Sequence, residues 1–381
     1  MKNTFGNNVH ITLFGESHGP SVGVVIDGLA PGLPVDEAVI SAMLARRGPR
    51  GEIATARHEE DRFEIESGVF NGKTTGTPVC IRIPNEDLRS TDYTAGDRLA
   101  RPGHADVAAH YKYQGYEDYR GGGHFSGRIT AALVAAAGIV IPALEKKGIH
   151  IGTHIRCLDG VKDCDFANVA EDISLLHTDF PVLDLEVRAQ MMERILQAKA
   201  AGDSVGGVLE TAVVGVPAGV GEPWFDTMEG MLAYVLFSIP AVKGVEFGDG
   251  FALADMHGSE ANDAWRIGDA LYTTTNHNGG INGGITNGMP LIFRCAVKPT
   301  PSISQEQDSI SLATGLEQKI VINGRHDPCI VHRVAAVVDA VTALVLCDVL
   351  TGRFGVGADR TRFGHELPLR LGQYGRCHST T

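Results

Sequence analysis

The chain has no Cys-x-x-Cys pair and no cysteine/histidine spacing of the kind that holds zinc, and its seven cysteines (Cys80, Cys157, Cys164, Cys295, Cys329, Cys347 and Cys377) are an odd number. This disfavours a disulfide framework and a structural zinc site, and leaves buried free thiols in a reducing compartment as the expectation. A basic excess is also missing. The formal charge of −13 speaks against a general nucleic-acid or membrane-surface binder, since both rely on a positive field. Residues 1–9 show no charged start running into an apolar stretch, so no secretory signal is read there and the cytoplasm is the expected location. The longest apolar run, near residues 129–144, is shorter than the roughly 20 residues a bilayer needs and contains Pro142. It is read as a buried helix. Neither Gly-x-x-x-x-Gly-Lys-[Ser/Thr] nor Gly-x-Gly-x-x-Gly in a strand-to-helix setting occurs, so neither a triphosphate loop nor a dinucleotide fold is supported.

What is present is ample material for a core: 381 residues, 43 % of them apolar. Short β-branched runs at 9–14 and 21–26 flank a Gly-rich turn, and residues 63–70 lead through Asn71-Gly72 into 77–83 as a hairpin. Helical apolar spacing covers 36–46, and a long alanine-rich helix is expected from Ser126, acting as its cap, towards Lys147. Strands are expected at 150–157, 205–216 and 291–297, and helices at 186–201, 229–237 and 329–350. Residues 276–288 are too glycine-rich for regular structure. Strands adjoin strands without regular strand–helix alternation, so the class is α+β, with antiparallel sheets packed on buried helices and no Rossmann fold. No linker or internal repeat divides the chain. A single domain over 1–350 is expected, followed by a polar tail at 351–381.

Histidines and arginines recur in the Gly-rich loops. Arginine forks bind carboxylate and phosphate while histidines move protons, so together they describe a pocket for a polyanion whose chemistry needs acid or base. Gly15-Glu16-Ser17-His18-Gly19 satisfies the pattern of a nucleophile elbow, yet Pro20 and a second strand follow where a serine hydrolase requires a helix. The other reading is a proton donor, His18, on a tight turn beside Ser17. In Arg101-Pro102-Gly103-His104-Ala105-Asp106, Asp106 can orient His104 or cap the helix beginning near Val107, and capping is the expected job. Arg120-Gly121-Gly122-Gly123-His124-Phe125-Ser126-Gly127-Arg128 lets backbone amides approach an anion at a helix start, with an arginine on each side. In Arg325-His326-Asp327-Pro328 the carboxylate is a helix cap, an arginine partner or a general base. Asn276 to Gly284 and Lys298-Pro299-Thr300-Pro301-Ser302 add amides, hydroxyls and a cation that suit a heteroaromatic ring with a phosphate tail.

These motifs, together with Gly221-Glu222-Pro223-Trp224-Phe225-Asp226 and Ala241-Val242-Lys243-Gly244-Val245-Glu246, stand in the order in which they occur in the chorismate synthase family, which this chain resembles from Gly15 to Cys329. The resemblance implies conversion of 5-enolpyruvylshikimate 3-phosphate to chorismate by 1,4-elimination of phosphate. It implies reduced FMN as cofactor without net redox change, a homotetramer, and helices sandwiched between antiparallel sheets. By the same resemblance His18 would protonate the leaving phosphate, His104 the reduced flavin, and Asp327 would assist proton removal through flavin N5. Ser17, Arg46, Arg50, Arg101, Arg128 and Arg325 would hold the substrate anions. Flavin contacts would come from His124, Phe125, Ser126, Ala241, Gly283, Lys298, Pro299, Thr300, Pro301, Ser302 and Arg325. No metal is implied, and NAD(P)H enters only if the enzyme reduces its own flavin.

Two departures stand out. Many relatives carry Arg-Ser-Ser after the triple glycine where this chain has His124-Phe125-Ser126, which exchanges a permanent cation for a titratable one. Glu52 stands where relatives often have a second arginine, for which Arg50 is the available substitute. The rival readings are a serine hydrolase using Ser17 and a non-catalytic binder that keeps the anion pocket.

Overall fold

The computed structural model describes residues 2–49, 51, 53, 61–86, 98–268, 270–322 and 326–357. The sequence-based expectations on Arg50, Glu52, Arg325 and most of the C-terminal tail fall outside the described residues.

Strands β1 (Thr4–Phe5), β2 (His10–Gly15) and β3 (Ser21–Asp27) open the chain. β2 and β3 pair antiparallel from His10↔Asp27 to Gly15↔Val22, so the loop at 15–19 is the tip of a hairpin. Helix α1 (Glu37–Arg47) starts where the Asp36 carboxylate accepts from the Ala38 amide at 2.9 Å, a cap worth about 1 kcal/mol. β4 (Glu64–Ser67), β5 (Val69–Phe70), β6 (Lys73–Thr74) and β7 (Val79–Pro84) follow. The Asn71-Gly72 turn joins β5 to β6, both residues at positive φ as a two-residue hairpin loop demands. The expected single hairpin is nevertheless irregular: β4 pairs with β7 on both sides of a register shift between Ile65 and Ser67. The first sheet has the order β1-β2-β3-β7-β4. Alternation in Val79-Cys80-Ile81-Arg82-Ile83 turns Val79, Ile81 and Ile83 inward.

Helices α2 (Asp106–Tyr113) and α3 (Thr130–Glu145) precede β8 (His150–Leu158) and β9 (Val161–Lys162). Then come α4 (Val169–Leu175), α5 (Leu185–Ala200), β10 (Gly207–Val214), α6 (Met228–Leu236), β11 (Val242–Phe247) and α7 (Gly258–Ala261). The chain closes with the short strands β12 (Trp265–Ile267), β13 (Leu271–Thr273), β14 (Ile281–Asn282) and β15 (Ile285–Thr286), then β16 (Leu291–Val297), β17 (Gln307–Ile310), β18 (Glu317–Ile320) and α8 (Val331–Phe354). The second sheet runs β11-β16-β10-β8-β9, antiparallel throughout. The α+β class expected from the sequence is what the chain forms. α8 continues to Phe354, past the boundary expected at residue 350.

α3 touches β3 and β7 of the first sheet, while α8 touches β8 and β10 of the second, and the two helices pack on each other. α3 is apolar on every side, from Ala131 through Val140, which suits a helix with no solvent face. Gly138 is where α1 comes closest: a Cβ there would meet Ile40 Cα at 3.0 Å. α8 is rich in β-branched residues that lose at most about 0.7 kcal/mol each in helix propensity. Burying each valine returns about 1.5–3 kcal/mol, so packing decides the conformation. Both Gly127–Glu145 and Val331–Phe354 have the length and apolarity to cross a membrane, and most of each is buried inside the protein. The buried Asp348 carboxylate of α8 accepts from the amides of Asn7, Asn8 and Val9 at 2.6–3.1 Å, and so ties the amino-terminal loop to the central helix.

Candidate active site

Two Gly-rich segments dock against each other at one end of the hairpin β2–β3. The Ser17 amide donates to Gly123 O at 3.1 Å, the Ser17 hydroxyl to Arg120 O at 3.1 Å, and His124 Nδ1 to Gly15 O at 2.8 Å. A carbonyl only accepts, so His124 carries its proton on Nδ1 and turns Nε2 away from this contact. Gly121, Gly122 and Gly123 all have positive φ, which an L side chain adopts only under strain. Space forbids a side chain as well. A Cβ on Gly121 would lie 2.2 Å from His18 Cε1, and one on Gly122 would lie 3.1 Å from His104 Cε1. The triple glycine is therefore the partition on which the two histidines stand. Ser17 is 1 % exposed and sits between two antiparallel strands, so the elbow that a serine hydrolase needs does not form.

Asp106 does not cap α2. The N-cap is Ala105, with no side-chain cap bond. The carboxylate instead receives Arg101 N, Nε and Nη2 at 2.9, 2.8 and 2.7 Å and His104 Nδ1 at 2.7 Å. Burial alone would raise the Asp106 carboxyl, but the bonds from Arg101 and His104 outweigh it and hold it well below the usual carboxylate range. With Nδ1–H given to Asp106, His104 presents Nε2 towards Gly122. The 3.1 Å approach of Arg101 Nη2 to His104 Nδ1 joins two donors around a shared acceptor, and is not itself a hydrogen bond.

Beside this partition lies a cavity of about 700 Å³, within the range of sites that enclose small ligands. Of the residues expected at a site, Arg101, His104, His124, Phe125, Ser126, Arg128, Ala241, Lys298, Thr300, Pro301, Ser302 and Asp327 line it. Ser17 and His18 stand behind Gly121, which lines it. Pro299 lies outside the lining. Gly283 is remote: it turns the hairpin β14–β15, next to Gly284, whose carbonyl receives the Met228 amide at the start of α6. The cavity meets that helix at its other end, through Phe237 to Val242. Ala241 holds φ at +77° on the cavity wall, a strain of about 1–3 kcal/mol that clusters at functional sites.

Arg46 also turns away. Its Nη2 donates to Asp339 Oδ2 of α8 at 3.0 Å, while Arg47 enters the cavity. Neighbours on a helix point about 100° apart, so both cannot face one chamber. Arg47 donates to Thr130 Oγ1 at 2.9 Å, Asp61 Oδ2 at 2.9 Å and Gly127 O at 3.1 Å. Arg128 donates to the other Asp61 oxygen, to Asn85 Oδ1 at 3.0 Å and to Pro84 O at 3.1 Å. Two buried guanidinium groups thus share the Asp61 carboxylate on this wall. Opposite, Asp327 accepts Thr300 Oγ1 at its backbone oxygen at 2.7 Å and Arg333 Nη1 at its carboxylate. His326 is pushed down from the usual imidazole range by burial and by the Arg101 charge, against the bond it makes to Ile322 O.

Asp61, Lys243 and Arg333 line the cavity with no ligand role expected for them, and Arg47 lines it in place of Arg46, the member of the Arg46-Arg47 pair expected on the substrate. Arg47 had the same signal as Arg46 and was separated from it only by helix phase. Arg333 is indistinguishable in sequence from any polar residue on a mostly buried helix, and Asp61 stands in no motif.

A family model described as chorismate synthase matches residues 9–351. A protein named chorismate synthase from Dehalococcoides mccartyi strain BAV1 is 47 % identical over 354 residues, which are 92 % of this chain and 96 % of the relative. One from Methanocella arvoryzae is 46 % identical over 348 residues, 91 % of this chain and 93 % of its own. A solved structure described as the crystal structure of chorismate synthase superposes with a TM-score of 0.73 at 28 % identity, over 93 % of this chain and 95 % of that one. The motifs, the chamber they build and these matches over nearly the whole length agree, and the chain belongs to the chorismate synthase family.

Proposed function

We propose that the 700 Å³ cavity is the chamber in which this lyase eliminates phosphate from 5-enolpyruvylshikimate 3-phosphate to form chorismate. The observation that carries the assignment is convergence: His104, Asp327 and the Arg47–Arg128 pair open on one space, with His18 one glycine behind its wall. A substrate with two carboxylates and a phosphate requires several desolvated guanidinium partners. Arg47, Arg101 and Arg128 are the buried or half-buried candidates. His18 donates a proton to the departing phosphate, and Ser17 Oγ, 3.3 Å from His18 Nδ1, orients its ring. Asp327 accepts the proton that the substrate loses.

The chamber suits reduced FMN. Ile239, Val242, Ile330 and Val334 offer an apolar wall to a flat ring, while Ser126, Thr300, Ser302 and Lys298 set hydroxyls and a cation beside it. When bound, the cofactor supplies electron density to the allylic system without net redox change. His104, with its Nδ1–H held by Asp106, turns Nε2 towards the ring, and the imidazolium form donates its Nε2 proton there. In the same reading the enzyme is a cytoplasmic homotetramer whose buried helices are sandwiched between the two sheets. Trp224 at 75 % and Phe225 at 99 % exposure are apolar surface suited to a second copy.

Anaerobic mixing with reduced FMN and substrate should release phosphate and form chorismate. A His18→Ala variant should bind flavin normally and lose most turnover, and full turnover in that variant would remove the acid role. Aerobic turnover with oxidised FMN and NADPH as the only reductant would show that the enzyme reduces its own flavin. Sedimentation at four times the 40.5 kDa chain mass is the expected assembly, and a monomer would overturn that part.

A further inference from the structure

We infer that Arg333 is a positioning residue that sets the proton-accepting carboxylate of Asp327 in register with the anion-binding wall. The inference rests on the reading of Asp327 given above. Arg333 sits in the first turn of α8, and its guanidinium works in two directions. Nη1 donates to Asp327 Oδ2, and Nε donates to the backbone oxygen of Arg47 at 2.8 Å. Arg47 in turn is the residue whose side chain meets Asp61 and, through it, Arg128. One planar group therefore spans the gap between the carboxylate on one wall and the last turn of α1 on the other.

The chemistry favours arginine at this point. A guanidinium presents its N–H groups in a fixed plane, so anchoring Nε on a carbonyl fixes the direction of Nη1. The stem is stiffened as well: Arg333 starts from a helix turn whose neighbours Val331 and Val334 are buried. On the far side, the Asp327 backbone is held by Thr300 Oγ1 at 2.7 Å. Both the main chain and the carboxylate of Asp327 are thus tied to the chamber walls. A proton acceptor misplaced by about 1 Å loses on the order of 10²-fold in rate.

The alternative role for a cation at this place is a direct grip on the substrate phosphate, and the two roles differ in which kinetic constant they move. Arg333→Met, Arg333→Lys, Asp327→Asn and the double variant Asp327→Asn/Arg333→Met should be compared for kcat, substrate KM and the Kd of FMN measured by titration. Positioning predicts that Arg333→Met lowers kcat about 10²-fold, with KM and the FMN Kd within about twofold of wild type. Arg333→Lys, which keeps the charge but lacks the Nε anchor, should recover only a small part of that loss. The double variant should be no slower than Asp327→Asn alone, because removing the aid to an absent group costs nothing further. A raised KM with unchanged kcat, or additive losses in the double variant, would overturn the inference. If Arg333→Met does not fold, Arg333→Lys decides by the same split between kcat and KM. Wild-type turnover by Asp327→Asn would sink the reading of Asp327 and this inference with it. Loss in Asp327→Asn together with full turnover in Arg333→Met would sink the inference alone.

Discussion

Asp106 accepts the Nδ1 proton of His104 at 2.7 Å and is itself clamped by Arg101. This fixes which imidazole nitrogen faces the chamber, the task that a carboxylate performs for the histidine in acid–base dyads generally. Asp106→Asn keeps the shape but can offer His104 an amide donor in place of an acceptor. Turnover should fall about 10- to 10²-fold, less than the roughly 10²- to 10⁴-fold cost of deleting an acid–base group outright. α2 should keep its length, because Asp106 is not its cap. Steady-state kinetics beside far-ultraviolet circular dichroism separates the two effects. A loss of helix with full activity would reverse the assignment.

The adjacent arginines of α1 should fail in opposite ways. Arg47 lines the cavity and Arg46 is tied to the buried Asp339. Truncating Arg47 to Ala removes a desolvated charge from the anion wall, and substrate KM should rise by more than about 30-fold, the lower end of what losing one such partner costs. Truncating Arg46 to Ala strands Asp339 in the core. It should cost about 3–5 kcal/mol of stability and leave KM near wild type in whatever fraction stays folded. Denaturant titration and kinetics on both variants test the pair.

Gly121 should tolerate no side chain. Gly121→Ala brings a Cβ to within 2.2 Å of the His18 ring at a φ of +58°. The ring must move, because Ser17 and the backbone behind it are hydrogen-bonded in place. The variant should reproduce the kinetic loss of His18→Ala while losing only about 1–3 kcal/mol of stability. Activity well above that of His18→Ala would show that His18 needs no contact with this glycine.

How far the sequence disclosed this site follows from the scale of each signal. β16 was legible to the residue because the apolar run Leu291 to Val297, broken only by Arg294, is bounded by Pro290 and Pro299, and α1 because its apolar spacing and its Asp36 cap agree. The triple glycine, Ser126 and the histidines were visible as residue types with few other uses. What stayed hidden depends on angles and partners. The phase of α1 chooses Arg47 over Arg46, a five-residue loop decides that Asp106 serves His104 and not α2, and only tertiary folding brings Asp61 between Arg47 and Arg128. Short elements were illegible too: α4 shows no full period of apolar spacing, and β11 is masked by Gly244.

Across the second sheet, from β11 to β8, runs a row of alternating charge whose effect on stability has a definite sign at each end of the pH scale. Glu246 on β11, Arg294 on β16, Glu210 on β10 and His154 on β8 are cross-strand neighbours, and Asp163 closes the row. His154 is fully buried, with Nδ1 2.9 Å from Asp163 and Nε2 3.0 Å from Glu210. Burial alone would lower its imidazole, but the two carboxylates prevail and raise it above the usual 6.5. A raised folded-state value means stability that is complete below about pH 6.5 and lost as the pH climbs through it. Asp163 and Glu210 are lowered from 3.8 and 4.5, burial notwithstanding, by their bonds to His154. Their contribution is complete above those values and lost as the pH falls below them. Stability from this row should therefore be greatest between about pH 4.5 and 6.5 and decline on the alkaline side. His154→Gln should cost about 3–5 kcal/mol by leaving buried Asp163 without its cation and Glu210 with Arg294 alone, and should flatten the alkaline decline. Urea denaturation of both proteins from pH 5 to 9 measures it. An equal alkaline decline in His154→Gln would show that the imidazole is not its source.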